Sequence, residues 1–442
     1  MLKPPKLFPA LFAILALTAC QPTSIQPTTE VERQPINTPY AVGNKTFFIH
    51  DKSRPYDSVG GVNVGVRSMI TEIWYPVHHA VAGSGEYDHA TYGDYVFGDK
   101  EVHRLMMTET TFFHLTPDSV VEGVSQAEID DAINELFTRK RNSYKNAPQA
   151  AVNLPWPVVV MTHGDAGSRY NMESACEYLA AHGYVVIAPD HTGNSPYAFT
   201  GRDPQLTTRL GDVVPHLNDN GTYGSREKYG QTYTPLVRDR NNPQAMINMD
   251  NSLLQRVNDL RAALTMLDQM NAAGEFQGKL DLGKIGLMGR SFGGTTTLAG
   301  LLLESRFTAG VAVVPLVMPD IRSQFPPEVL KPAGQESVLL SADKGSSLNH
   351  ITKPTMLLSG AEDGLIIGAG VGFAAAMGSE KPTTTNPLPA LRKAYESSTQ
   401  PVIWGLLKDS NHGSFGVSGP YWWPQYKTNT QRRFFAPDES FT

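Results

Sequence analysis

Cysteine is almost absent from this chain: Cys20 and Cys176 are the only two in 442 residues. That scarcity excludes a disulfide scaffold. No apolar run reaches the ~20 residues that span a bilayer as a helix. The longest near the N-terminus, Leu7 to Leu17, is about half of that. An excess of basic residues is also missing, with 37 Lys and Arg against 43 Asp and Glu. Binding to a phosphate backbone needs concentrated positive charge, so nucleic acid is not an expected partner. Charged residues are few, at 18% against a typical ~25%. A hydrophobic content of 40% still excludes a wholly disordered chain. The 39 Gly and 32 Pro suit a large core joined by long ordered loops.

Residues 1–19 read as a secretory signal. Lys3 and Lys6 form the basic start, and Leu7 to Leu17 the short apolar stretch. The ending Leu17-Thr18-Ala19-Cys20 matches a bacterial lipobox, in which the Cys thiol accepts lipid. Gln21 stands where Asp would retain a lipoprotein in the inner membrane, so an outer-membrane address is expected. Residues 20–40, rich in Pro, Thr and Gln, read as a disordered tether. Removal of 1–19 leaves 35 basic and 43 acidic side chains, a net charge of −8. With Cys20 lipidated, Cys176 has no partner and reads as a small buried hydrophobe.

From residue 41 the chain reads as a single domain with insertions near 80–150, 193–248 and 319–350. Residues 62–76 suggest one or two strands. His78, His79, His89, His103 and His114 lack metal-ligand spacing and read as loop histidines. Ser125-Gln126-Ala127-Glu128 matches a capping box before a helix with Ile129, Ala132, Ile133, Leu136 and Phe137 on one face. Strands are expected at Val158–Met161, Val185–Ala188, Lys284–Met288, Gly310–Val314, Met356–Leu358 and Val402–Trp404. Helices are expected at 169–182, 250–270 and Thr295–Leu303. Continuous apolar strands alternating with helices imply a mostly parallel sheet with helices on both faces.

Gly289-Arg290-Ser291-Phe292-Gly293 lies between a strand and a helix. There the sharp turn of a nucleophile elbow would lift Ser291 Oγ above the sheet. Ser needs a base, because its hydroxyl is a poor nucleophile at pH 7. In folds with this elbow, the acid and the His follow the Ser. Beyond Ser291 lie His350 and His412. His412 follows the last strand, whereas His350 precedes a strand at the other end of the sheet. Asp363, after Met356–Leu358, is the preferred acid. Asp320, Glu362 and Asp343 are its competitors. The backbone N–H groups of Phe292 and Asp165 are the candidate oxyanion hole. The Asp165 carboxylate must then turn away, toward Arg290 or Arg169. His163 and His191 read as loop braces, and Tyr421, Trp422 and Trp423 as an aromatic wall or packing.

Several segments together resemble the plasma-type platelet-activating-factor acetylhydrolases and their bacterial dienelactone-hydrolase-like relatives. They are Ile73-Trp74-Tyr75-Pro76, Thr162-His163-Gly164 with Arg169, Leu179 to Val186, Lys284 to Thr295, and the run from Arg256-Val257-Asn258-Asp259. The resemblance runs from about Thr71 to His412. It implies an α/β-hydrolase fold, ester hydrolysis, no metal and no cofactor. The chain departs from the acetylhydrolases in two places. They usually carry His before the nucleophile, where Arg290 stands. They take their acid after the strand that follows the nucleophile helix, where this chain has Val313-Val314-Pro315. Both departures turn the reading from platelet-activating factor itself toward a small-molecule or lipid ester. The expectation is a lipid-anchored serine carboxylic-ester hydrolase. Its rivals are an acetylhydrolase-like phospholipase, a cutinase-like polyester hydrolase and, more distantly, a non-catalytic surface lipoprotein.

Overall fold

The computed structural model describes residues 38–63, 65–95, 127, 131, 134–135, 137–151, 154–195, 243–343, 348 and 350–416. The lipobox with Cys20, most of the tether, His103, His114 and Tyr421 to Trp423 lie outside them. Of the helix expected after Ser125, Ala127, Asp131, Asn134, Glu135, Phe137 and Thr138 are helical. Its Ile129, Ala132, Ile133 and Leu136 lie outside the described residues.

Among the described residues, ten strands form one sheet, in the order β10-β9-β8-β7-β5-β6-β2-β1-β4-β3. They are β1 Ala41–Asp51, β2 Arg67–Val77, β3 His89–Thr91, β4 Lys140–Lys145, β5 Trp156–Thr162, β6 Val185–Pro189, β7 Leu280–Arg290, β8 Phe307–Val313, β9 Thr355–Gly360 and β10 Val402–Leu407. From β10 to β6 every pairing is parallel. β6 meets β2, and β2 meets β1, in antiparallel pairs. The parallel strands are covered by helices and therefore read as unbroken apolar runs. All five residues of β6 are buried.

Five helices matter for the site: α1 Glu173–Ala181, α2 Pro243–Ala272, α3 Phe292–Leu303, α4 Gly364–Met377 and α5 Pro389–Glu396. α2 starts before the expected residue 250. Its predicted inward residues Leu253, Val257, Leu260, Leu264 and Leu267 are all buried. α3 is buried from Phe292 to Leu301, because it lies over β7 and β8.

The segment near 80–150 contributes two strands, β3 and β4, that extend the sheet. β4 has the polar sequence Lys-Arg-Asn-Ser-Tyr-Lys, which carries no strand signal. It becomes a strand through backbone pairing with β1, Val42 opposite Ser143. Its Arg141 reaches Glu72 (3.2 Å) and Glu173 (3.3 Å). β2 is buried over all eleven residues, so Glu72 needs these partners. It also accepts from Asn44 Nδ2 (2.5 Å) and Thr46 Oγ1 (2.6 Å). Within 319–343, Val338, Leu339 and Leu340 are buried. Asp250 of α2 accepts from the N–H groups of Val338 and Leu339, both at 2.8 Å.

β5 is the point where the chain reverses its direction across the sheet, with β6 on one side and β7 on the other. Loops leaving β5 and β7 therefore separate at their C-terminal ends and open a crevice between them. The candidate residues stand there.

Candidate active site

β7 ends at Arg290 and α3 begins at Phe292, so Ser291 is the whole turn. Its backbone is left-handed, φ 59° and ψ −125°, a conformation that costs a non-glycine residue roughly 1–3 kcal/mol. Packing holds it there. A Cβ at Gly293 would stand 2.1 Å from Thr162 O, and one at Gly289 2.5 Å from Gly293 O. The flanking glycines thus let the elbow press onto the end of β5. Ser291 N–H donates to Val313 O (2.8 Å).

His412 stands in the loop after β10, in the single turn His412–Phe415 capped by Asn411. Its Nε2 lies 2.8 Å from Ser291 Oγ. Its Nδ1 lies 2.8 Å from Asp363 Oδ2. Asp363 closes the loop after β9 and caps α4, its Oδ1 accepting from Ile366 N–H (3.1 Å). Both His412 and Asp363 are buried. The three predicted residues, distant in sequence, thus form one hydrogen-bonded line. With Nδ1–H directed at the carboxylate, Nε2 keeps its lone pair for the Ser hydroxyl.

The competing acids lie elsewhere. Asp320 is exposed and paired with Arg322 (2.6 Å), which holds its carboxyl below the usual range. Glu362 and Asp343 are exposed. Asp343 accepts from Ser341 Oγ (2.6 Å). His350 is exposed ahead of β9.

The loop after β5 lies against the elbow. A Cβ on Gly164 would sit 3.2 Å from Ser291 Cβ. Asp165 follows directly in that loop, and Phe292 opens the first turn of α3, where helix N–H groups lack intrahelical partners. The Asp165 carboxylate is not where the sequence reading put it. Its Oδ1 accepts from Asn194 Nδ2 (2.6 Å). The two expected arginines are engaged elsewhere: Arg169 with Asp190 (2.6 Å) and Arg290 with the carbonyl of His412.

His163 and His191 brace the loop as expected. His163 Nδ1 lies 2.7 Å from Gly164 O, and its Nε2 accepts from His191 N–H (2.9 Å). His191 spans Thr162 Oγ1 (2.7 Å) and Asp259 Oδ2 (2.9 Å). Burial, followed by the Arg256 charge, pushes His191 down to about 4 and His163 well below its usual value. Both rings are therefore neutral near pH 7. Asp259 also pairs with Arg67 (2.6 Å) and Arg54 (2.8 Å). Burial, then Glu173 and Glu177, raise the Cys176 thiol well above its ordinary value, so it is an inert core residue.

The role of Arg256 was not legible beyond its place in a familiar run. Its spacing of three from Asp259 on the inner face of α2 was the available signal. Among the described residues, no group of three or more His, Cys, Asp or Glu could hold a metal ion.

A family model described as platelet-activating factor acetylhydrolase, isoform II, matches residues 119–334. That stretch holds Ser291 and ends before Asp363 and His412. The platelet-activating factor acetylhydrolase of Cavia porcellus is 25% identical over 185 residues, covering 39% of this chain and 38% of that protein. The Bos taurus acetylhydrolase is 25% identical over 175 residues, covering 39% and 38%. The chain therefore spans well under half the length of these relatives. A ferulic acid esterase from Streptomyces cinnamoneus has a similar structure, with a TM-score of 0.52 at 18% identity, covering 91% of this chain and 84% of that one. The chain has the α/β-hydrolase fold, and its sequence likeness runs to the platelet-activating factor acetylhydrolases.

Proposed function

We propose that this chain is a serine carboxylic-ester hydrolase working through an acyl-enzyme. The observation that carries the reading is the line Asp363–His412–Ser291, two hydrogen bonds of 2.8 Å each, at the mouth of a strained elbow. Ser291 Oγ adds to the ester carbonyl carbon while His412 Nε2 takes its proton. The tetrahedral oxyanion rests on the N–H groups of Phe292 and Asp165. His412 then gives the proton to the leaving alcohol. Water, deprotonated by His412, attacks the acyl-enzyme and releases the acid. Asp363 keeps His412 in the right tautomer and offsets the imidazolium charge.

The substrate class is a small-molecule or lipid ester. Phospholipid, aryl ester and polyester are its resolvable cases. The acetylhydrolase likeness favours a lipid ester, and the lack of a carboxylate at Val313-Val314-Pro315, directly at the end of β8, argues against a copy of the acetylhydrolase arrangement. Turnover of p-nitrophenyl esters of graded chain length, beside phospholipids, separates them.

A fluorophosphonate probe should label the wild-type protein and leave Ser291→Ala unlabelled. Equal labelling of both, or none of either, sinks the reading.

The same reading has the enzyme tethered to a bacterial membrane through lipid on Cys20, on the outer membrane given Gln21. Metabolic labelling with a radioactive fatty acid tests this. Label retained in Cys20→Ala would refute the anchor without touching the chemistry.

A further inference from the structure

We propose that Arg256 is the positioning residue of the oxyanion site, one guanidinium bracing both of its arms. This rests on the serine-hydrolase reading and deepens it. Arg256 lies on α2, buried, far from Ser291 in sequence. Its Nη1 donates to His163 O (2.5 Å), and its Nη2 to Gly164 O (3.1 Å) and to Asn194 Oδ1. Its Cζ stands 4.6 Å from the centre of the Phe292 ring. The two candidate oxyanion donors are the N–H groups of Asp165 and Phe292, so Arg256 touches the residue before the first and the side chain of the second.

The first arm is fixed by peptide geometry. In a planar trans peptide the C=O and N–H point in opposite directions. Gly164 O and Asp165 N–H belong to one such unit. Gly164 O is gripped by Arg256 Nη2, His163 Nδ1 (2.7 Å) and Gly167 N–H (3.3 Å). With the carbonyl turned to that side, Asp165 N–H faces the other way, from a loop whose Gly164 abuts Ser291. Asn194 completes the bracket, receiving Arg256 on Oδ1 and holding the Asp165 carboxylate with Nδ2. That contact keeps a negative group turned away from a developing oxyanion. The adjoining Ala166 has φ 51°, a left-handed residue that needs such outside support.

The second arm is held by stacking. The flat guanidinium lies over the Phe292 ring, a favourable cation–π contact in a desolvated site. Phe292 is the first residue of α3 and carries the other donor. Loop and helix are separate parts of the chain, and Arg256 sets their relative position. Its charge also contributes to holding His163 neutral, after burial, so His163 Nε2 can accept from His191 N–H. Lys could not replace it, because a single ammonium lacks the fork that reaches consecutive carbonyls.

Arg256→Lys is the test, with Asn194→Ala as the second variant. Wild-type labelling by fluorophosphonate first checks the underlying chemistry, and its failure would sink the hydrolase reading rather than this one. In a folded Arg256→Lys protein, kcat for a p-nitrophenyl ester should fall on the order of a hundredfold, as for loss of one oxyanion donor. KM should stay within about threefold, because the interaction lost is made in the transition state. A trifluoromethyl ketone, whose hemiketal oxyanion occupies the same hole, should weaken in the same proportion. Asn194→Ala should show the same pattern at smaller amplitude, and it carries the test if Arg256→Lys does not fold. A folded variant with kcat near wild type, or one that loses only KM, would overturn the assignment.

Discussion

Arg290 donates a guanidinium N–H to the backbone carbonyl of His412. The residue before Ser291 thus holds the loop that carries His412. Its Nε also packs where a Cβ on Gly416 would come within 3.3 Å, so the guanidinium fills the space between elbow and loop. Burial pushes Arg290 down to about 10, with the Asp363 charge opposing that shift. It remains charged at neutral pH. Arg290→Met keeps the length and removes the donors. Its kcat should fall by up to about a hundredfold, the effect of a misplacement near 1 Å in a catalytic group. Arg290→Lys should recover part of the loss. Turnover of one p-nitrophenyl ester by all three proteins decides it, and an unimpaired Met variant would show that His412 is held without Arg290.

Asp363→Asn should be far more damaging than Asp320→Asn. Asp363 serves two donors, His412 Nδ1 on one oxygen and Ile366 N–H on the other. An Asn oxygen can satisfy one of them. If the oxygen goes to Ile366, the amide NH2 faces Nδ1 and selects the tautomer with its proton on Nε2, where the Ser proton must go. A loss on the order of 10³–10⁴ in kcat is expected. Asp320 is exposed and tied to Arg322, so its variant should behave like wild type. A large loss confined to the Asp320 variant would reverse the choice of acid.

Much of this architecture could be read from patterns that physics makes local. Parallel strands such as β6 are apolar throughout because both faces are covered, and the elbow shows itself because close approach demands glycine at fixed spacing. The meeting of Ser291, His412 and Asp363 was legible because each falls in a loop after a strand, where chain order limits the choices. β1 and β4 were not legible. β4 has no apolar alternation, and its burial depends on partners, Glu72 and Glu173, supplied by other elements. α4 was missed because its Gly-rich sequence opposes helix propensity; tertiary packing and the Asp363 cap override it. The direction of the Asp165 carboxylate depended on Asn194, whose position no local rule supplies.

Stability should carry the signature of His191. Its pKa is near 4 when folded and about 6.5 when unfolded. Between these values the unfolded chain binds more protons, so this contribution is fully present above about 6.5 and is lost as pH falls toward 4. Glu173 acts oppositely: burial and the Glu177 charge raise it to about 8, which disfavours folding as pH rises through 4.5–8. His163 acts with His191. The informative quantity is therefore the stability difference between wild type and His191→Gln, measured by urea unfolding at two pH values. That gap should narrow by about 2 kcal/mol from pH 7.5 to 4.5. A gap independent of pH would mean that His191 is not held neutral in the fold.

Gly293→Ala tests whether the elbow is set by packing against β5. Gly293 follows Phe292 in the first turn of α3, a position where Ala would ordinarily favour the helix by ~1 kcal/mol. Here the methyl would lie 2.1 Å from Thr162 O and 2.7 Å from His163 O. Both are backbone atoms, and neither can swing aside as a side chain can. Relief requires α3 to lift from β5, or the loop after β5 to retreat. Either motion separates Phe292 N–H from Asp165 N–H and moves Ser291 relative to His412. Overpacking of this kind costs about 1–3 kcal/mol, which outweighs the helix gain. The variant should therefore be less stable than wild type on thermal unfolding and should also lose fluorophosphonate labelling. Increased stability, with labelling intact, would mean that helix propensity rather than close approach governs this position.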